Sequence, residues 1–444
     1  MAGVSFHVYR FATALGYHLP RRLTRAGLLL AAGMVLTGAI GSDLDQSVAF
    51  QAFALLSCLL IVAIAWAPFF RGRFTVERNL PRLASLHEPF RYRVHVRNES
   101  GRPYQDLELL EDLADPRPTR DEFARLMRPL QRMRAFRLTS RSGVGMDFRQ
   151  ATVTPSPLAG LKRWGTAEAQ IELTPLKRGP LRFRGVTVAR RDPFGLFRGF
   201  VRVRLPQTVL VLPKRYPVPL LNFPCTRNYQ PGGVALASSI GESEEFIALR
   251  EYRPGDPFRR IHWRSWARAG RPIVKEYQEE YFSRHALVLD TFAQGVEGDV
   301  FEAAVSVAAS FACSLQTQES LLDLLFVGSR AFCFTTGRGL GHSEQMLEVL
   351  AGVQPSTDRH FDELRELVLR HGSELSACIC VLLGWDPPRR ELIRQLRALG
   401  LPILALVVTD QTRPDAETAE EAGAHFLRAR ELAQDLQALE GVQV

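Results

Sequence analysis

Two long apolar runs dominate the N-terminal part of the chain. From Leu28 to Ile40 and from Val48 to Phe70 nearly every residue is apolar. The second run, VAFQAFALLSCLLIVAIAWAPFF, is close to the ~20 residues that cross a bilayer. Counted from Leu23 to Gly41, the first reaches similar length, and the polar turn GSDLDQS separates the two. The pattern predicts an N-terminal segment, 1–73, built as a transmembrane helical hairpin with spans at about 23–41 and 48–70. A cleaved signal peptide would account for the first run, but the second run directly behind it favours the hairpin. Arg21, Arg22 and Arg25 precede the first span, Arg71, Arg73 and Arg78 follow the second, and the turn between them has no basic residue. The positive-inside rule then puts both termini in the cytoplasm, in a two-pass protein of the inner (plasma) membrane.

Beyond Phe74 the rhythm changes to alternation. In FRYRVHVRNESGRPYQDLEL, Tyr92, Val94 and Val96 alternate with charged residues, NESGRP makes a turn, and Leu107 and Leu109 resume the pattern. Further strands are predicted at Phe136–Leu138, Gln150–Val153, Ala169–Leu173, Leu181–Val188 and Thr208–Leu212, giving a β-sandwich over residues 74–215. The stretch from Asp121, DEFARLMRPLQRMRAF, fits none of these strands. From His285 to the C terminus, apolar runs such as HALVLDTF, LLDLLFVG, ACICVLLGW and LPILALVVTD alternate with helical patterns such as FDELRELVLRHG. Strands apolar on both faces belong inside a mostly parallel sheet covered by helices, so residues 285–444 read as a doubly wound α/β domain. Residues 216–284 link the two domains.

The chain has 444 residues, 46% of them hydrophobic and 23% charged. These are globular values, and the length is enough for two or three cores. A formal charge of +9 suits an anionic membrane surface as well as nucleic acid. The six cysteines show no CxxC pair and no metal spacing. Cys378 and Cys380 alternate along a strand as buried fillers on one face.

Residues 241–281, GESEEFIALREYRPGDPFRRIHWRSWARAGRPIVKEYQEEY, carry a family resemblance, through Arg250, Tyr252, Gly255, Asp256, Arg259, Ile261, Trp263, Ala267 and Arg268. So does KRGPLRFRGVTVARRDPFGLF, Lys177 to Phe197. In both, the chain resembles the membrane-associated proteins that carry the domain of unknown function 58. The resemblance implies an N-terminal transmembrane pair, an immunoglobulin-like β domain, the signature segment and a von Willebrand factor type A-like domain. It also implies association with MoxR-type AAA+ ATPases in the assembly or maturation of protein complexes, and with transglutaminase-like membrane proteins. Domains of the type A kind often hold Mg²⁺ through an Asp-x-Ser-x-Ser loop, a later Thr and a later Asp. The matching positions here are Asp290, with Phe292 and Gln294 in place of the serines, then Thr357 and Asp386. So reduced an oxygen set is expected to hold no metal, and no cofactor is expected.

The signature segment has its own physical logic. Pro254, Gly255 and Asp256 set a tight turn, while Phe258, Ile261 and Trp263 offer apolar anchors. Arg250, Arg259, Arg264 and Arg268 can meet Glu242, Glu244, Glu245, Glu251 and Asp256 in forked contacts. This composition suits either a clasp between domains or a partner-docking surface, since Trp and Arg dominate interface hot spots. His262 has no nucleophile at a known spacing, Ser265 has no GxSxG context, and no GxxxxGK[ST] occurs. The carboxylates on both sides of the segment argue against a nucleic-acid partner. The expectation is a membrane-anchored, non-enzymatic scaffold that docks a cytoplasmic protein and contacts membrane lipids. The competing reading is a metal-dependent or hydrolytic enzyme using Asp290 and Asp386 or His262.

Overall fold

The computed structural model describes residues 10, 19, 21–40, 47–115, 149–219, 246–256, 258, 261–277, 283–294, 296, 298–315, 320–336, 340–356, 359–410 and 423–440. The expected strand at Phe136–Leu138 and the Asp121 stretch lie outside these residues. The chain divides into two compact units, Met1–Pro213 and Lys214–Val444.

The first unit opens with helices α1 (Arg25–Ile40) and α2 (Ser47–Trp66), which pack on each other. Gly38 lets them approach, because a β-carbon there would lie 3.1 Å from the Phe53 ring. With its following turn, α2 forms an apolar stretch, Val48–Phe69, of 22 residues and mean hydropathy 2.5, long enough to cross a membrane. Its apolar side chains, Leu55 and Ile61 among them, are exposed. Helix α1 is shorter than the 23–41 span read from the sequence, at 16 residues or about 24 Å. The reason is local: Thr24 caps the helix, its hydroxyl accepting the Gly27 N–H at 3.1 Å, and Leu23 is drawn into a β-bridge with Phe197.

Among the described residues nine strands follow: β1 (Phe74–Asn79), β2 (Leu83–Ser85), β3 (Phe90–Asn98), β4 (Leu107–Leu113), β5 (Ala151–Val153), β6 (Ser156–Leu158), β7 (Thr166–Pro175), β8 (Gly179–Arg191) and β9 (Arg198–Leu212). They form two sheets, β1-β3-β7-β5 and β2-β9-β8-β4-β6, antiparallel except for the β2–β9 pair. Alternation puts Val76, Val94, Val96 and Ile171 of one sheet and Leu109, Phe183, Val188 and Val209 of the other into one shared hydrophobic cluster.

The turn between β8 and β9 is the Asp192–Phe197 part of the RRDPFGLF motif. The buried Asp192 carboxylate accepts three backbone N–H groups, from Phe194 (3.0 Å), Leu196 (2.7 Å) and Phe197 (2.6 Å), and Gly195 takes a positive φ of +67°. Helix α1 rests on this turn, and the turn after α2 rests on the start of β9 just beyond it. A β-carbon at Gly27 would lie 2.1 Å from the Leu196 carbonyl oxygen, and one at Gly199 would lie 2.9 Å from the Phe70 β-carbon. Thr24 N–H donates to Leu196 O at 3.0 Å, and Arg198 donates to the carbonyls of Arg21 and Leu23 while its Nε meets Glu108 at 2.8 Å. Arg21 in turn pairs with Asp112 at 2.6 Å.

Beneath these contacts the buried Arg78 pairs with Glu111, so Arg78, read from sequence as a membrane-flanking charge, is spent inside the sandwich. Burial pushes the Glu111 carboxyl up to about 7, with Arg78 working against the shift.

The second unit begins with an antiparallel pair, β10 (Phe246–Glu251) and β11 (Ile273–Tyr277), bracketing the short helix α3 (Trp263–Ala269). Strands β12 (Ser283–Leu289), β13 (Ser320–Val327), β14 (Ala331–Thr336), β15 (Ala377–Leu382), β16 (Ile403–Thr409) and β17 (Ala424–Arg428) then make one sheet in the order β14-β13-β12-β15-β16-β17. All pairings are parallel except β13 with the edge strand β14. Helices α4 (Gly298–Ser314), α5 (Leu340–Gly352), α6 (Asp362–His371), α7 (Pro387–Ala398) and α8 (Leu432–Gln437) alternate with the strands. Every residue of β15 is buried, with the Cys378 and Cys380 sulfurs 3.5 Å apart on one face.

Two outcomes follow for stability. Asp192→Ala strands three backbone amides and should cost about 2–4 kcal/mol in thermal unfolding of the detergent-solubilised chain, with new protease cleavage near residues 21–27. Because the folded Glu111 titrates above its unfolded value, its contribution is full below pH about 4.5 and lost as pH rises through about 7. Glu111→Gln, less stable throughout for want of the Arg78 partner, should flatten that slope, worth about 1–3 kcal/mol, in melts run from pH 4 to 8.

Candidate functional site

The signature segment is braced from within. Arg250, on β10, grips Asp256 with both terminal nitrogens, at 2.8 and 2.7 Å, and Asp256 also accepts the Arg253 N–H at 2.8 Å. The hydrogen bonds from Arg250 and Arg253 hold the Asp256 carboxyl down at about 2. Gly255, at φ +109°, supplies the turn conformation that a side chain would strain. The chain then returns: Ile261 bridges to Val274, both buried, and the His262 N–H donates to Ile273 O at 2.8 Å. Gly270, left-handed at φ +71°, ends α3.

Three of the expected apolar anchors behave differently from one another. Ile261 is buried, whereas Phe258 and Trp263 are 73% and 65% exposed. Phe258 stacks on Tyr252, with ring centroids 6.0 Å apart, and Trp263 on Trp266 at 5.2 Å. These stacks fix the aromatic rings without covering them. Arg264 and Arg268, one helical turn apart on α3, are exposed, and neither has a carboxylate partner among the described residues. Of the carboxylates expected to meet them, Asp256 is taken by Arg250 and Glu251 by Arg271. Arg259, Glu242, Glu244 and Glu245 lie outside the described residues. His262 Nδ1 meets Ser265 Oγ at 2.7 Å, an i,i+3 contact at the start of α3; among the described residues no carboxylate orients the imidazole as a hydrolytic triad requires.

A second constellation lies at the C-terminal end of the central strands, where open α/β sheets place their ligands. Asp290 follows β12 and is fully buried. Its carboxylate accepts the N–H groups of Phe292 (2.9 Å) and Leu383 (3.0 Å) and the Nε of Arg389 at 2.6 Å. Asp386 caps α7, and its other oxygen takes Arg389 Nη1 at 2.6 Å. Arg389 Nη2 donates to Phe292 O at 3.0 Å, and its guanidinium carbon stands 5.1 Å from the centre of the Phe361 ring. The loop before Thr357 adjoins this group, since the Ser356 N–H donates to Thr291 O at 2.7 Å; Thr357 itself lies outside the described residues.

Between Asp290 and Asp386, the two carboxylates matched to the metal positions from the sequence, the structure puts a guanidinium. A divalent cation does not fit these residues, because Arg389 already supplies the positive charge and Asp290 spends its oxygens on three donors. Among the described residues no group of three or more His, Cys, Asp or Glu could hold a metal. Burial works against the Arg389 charge, but Asp290 and Asp386 more than offset it and hold the group above its ordinary range. Arg389 escapes a sequence reading because its main partner is 99 positions away; its one local signal is the Asp-Pro-Pro-Arg capping pattern of α7.

Arg389→Gln should destabilise the chain by about 3–5 kcal/mol, as removal of one partner from a buried pair does. Adding Asp290→Asn should recover part of that loss, measured by a double-mutant cycle of urea melts.

Comparison with known proteins supports the family resemblance of the signature segment. Residues 248–417 match the family described as "Protein of unknown function DUF58". Over 184 residues the chain is 29% identical to "Uncharacterized protein YeaD" of Bacillus subtilis (strain 168), a match spanning 40% of this chain and 44% of that relative. A solved structure titled "ASH / PapD-like domain of human CEP192 (PapD-like domain 7)" is 13% identical, with 31% of this chain and 85% of that one covered at a TM-score of 0.16, which carries no argument. The matched region runs from the β10 hairpin through the Asp290–Arg389–Asp386 centre to β16, and over residues 248–417 the chain is thus similar to the DUF58 family, whose function is unknown.

Proposed function

We propose that the protein is a membrane-anchored, non-enzymatic adaptor that docks a cytoplasmic protein partner through its signature segment. The observation that carries this reading is the exposed Phe258–Trp263 surface, flanked by the exposed Arg264 and Arg268 and held on a scaffold braced by Arg250 and Asp256. Rigid aromatic and arginine groups presented to solvent are what an interface hot spot requires. A segment serving only as an internal clasp would bury its tryptophan.

The membrane half of the proposal takes α1 and α2 as a two-pass hairpin with both termini in the cytoplasm. The basic residues Arg22, Arg25, Arg71 and Arg73 flanking the two helices support that orientation. The two-sheet sandwich supports an immunoglobulin-like reading. Numbered along the sheet-forming strands of the second unit, the order 3-2-1-4-5-6 with strand three antiparallel supports a von Willebrand factor type A-like one. In such a domain the Arg389 centre would serve as a fixed substitute for the metal. The partner class that the family resemblance implies is a MoxR-type AAA+ ATPase, with a transglutaminase-like membrane protein as a second component.

Crosslinking in the native cell, detergent solubilisation and mass spectrometry should recover an AAA+ ATPase with the wild-type chain. The Trp263→Ala/Arg268→Ala variant should lose at least tenfold of it with an unchanged melting temperature, both side chains being exposed. Equal recovery with the variant would place the docking surface elsewhere.

A further inference from the structure

A shallow, open pocket lies where the end of α2 and its following turn meet the β-sandwich. Trp66 and Phe69 form one wall, Arg190 and Arg191 the other, and Asp192 and Gly199 also line it. We infer that this pocket binds the phosphate headgroup of an anionic glycerophospholipid, with the two arginines on the phosphate and the acyl chains running along α2. The inference rests on the membrane reading proposed above.

The charge balance of the pocket favours an anion. Arg190 is exposed and has no hydrogen-bond or ion-pair partner among the described residues. Arg191 shares the single carboxylate of Glu108 with Arg198 and leaves half of its side chain to solvent. The acidic member of the lining, Asp192, is buried with its oxygens committed to three backbone amides. A surplus of guanidinium charge therefore lines the pocket, and guanidinium is the group that best recognises phosphate.

Position selects a lipid over free phosphate. The pocket lies at the end of the one described helix that is long enough to cross a membrane. Its aromatic wall is half exposed at Trp66 and 77% exposed at Phe69, the rings 6.1 Å apart, as in the aromatic belts of membrane interfaces. That wall continues the exposed apolar surface of α2, which acyl chains could cover and inorganic phosphate could not use. At Gly199 there is no side chain to fill the floor, and the same glycine admits Phe70 and the Ala67 carbonyl against the strand.

The test uses the full-length chain in mild detergent, titrated with phosphatidylglycerol, phosphatidylcholine or inorganic phosphate and read by native mass spectrometry. Source membranes are extracted with alkaline carbonate in parallel. Phosphatidylglycerol should bind at least about fivefold more tightly than phosphatidylcholine. Arg190→Gln should weaken it about fivefold, while Arg182→Gln, an exposed position earlier on β8, should leave it unchanged. Equal binding of the two lipids, or an Arg190→Gln variant that binds like wild type, would overturn the site. Displacement of phosphatidylglycerol by equimolar inorganic phosphate would overturn its assignment to lipid. Release of the chain by carbonate would instead sink the membrane reading, whereas retention without lipid preference would sink the pocket alone.

Discussion

The Asp192 carboxylate is the small constraint on which the N-terminal unit depends. With three backbone amides satisfied by one buried side chain, the β8–β9 turn becomes a rigid seat for α1 at Gly27, and it leads directly into Gly199 of β9, against which the turn after α2 packs. Neither helix end could come so close to a flexible loop, because the positions where they touch leave no room for a β-carbon. The arginines around this seat therefore do two jobs. Arg21 and Arg198 are structural, tied to Asp112 and Glu108, while Arg22, Arg25, Arg71 and Arg190 keep their charge available to the surroundings.

The second unit is organised around a different ion. A guanidinium held by two carboxylates and a carbonyl sits where comparable sheets often expose a ligand site. Because Arg389 is covalently part of the chain, the positive charge cannot leave, and the loops after β12 and β15 are tied together under all conditions. The domain is thereby committed to one arrangement at this end, which suits a rigid platform better than a ligand-gated switch.

Much of this architecture is legible in the sequence, for identifiable reasons. The strands of the α/β sheet are apolar on both faces, so β12, β13, β15 and β16 stand out as unbroken runs. The alternation at Tyr92, Val94 and Val96 marks β3, since one face is buried and the other wet. The first half of β9 is harder, its outward positions carrying Arg202 and Arg204 between half-buried valines. Helix α5, only weakly amphipathic, is also hidden. At the site, Asp290 and Asp386 were readable from a motif, but Arg389 was not, because a sequence reading looks for ligands of a cation and not for a side chain that replaces it. The exposure of Trp263 was equally hidden: tryptophan in a sequence suggests a core anchor, and only the stack on Trp266 shows that its ring can be held in place without burial.

The seat on Asp192 also sets an order of events during synthesis. Thr24, which ends the N-terminal lead of α1, hydrogen-bonds a carbonyl 171 residues further along the chain, and Arg198 holds the carbonyls of Arg21 and Leu23 across 177 and 175. While the ribosome is still making the β-sandwich, nothing in the chain exists to receive that lead, and α1 and α2 must keep each other's company without it. Only when the β8–β9 turn emerges can the helix start be locked down, so the N-terminal unit is closed at its beginning by residues made near its end.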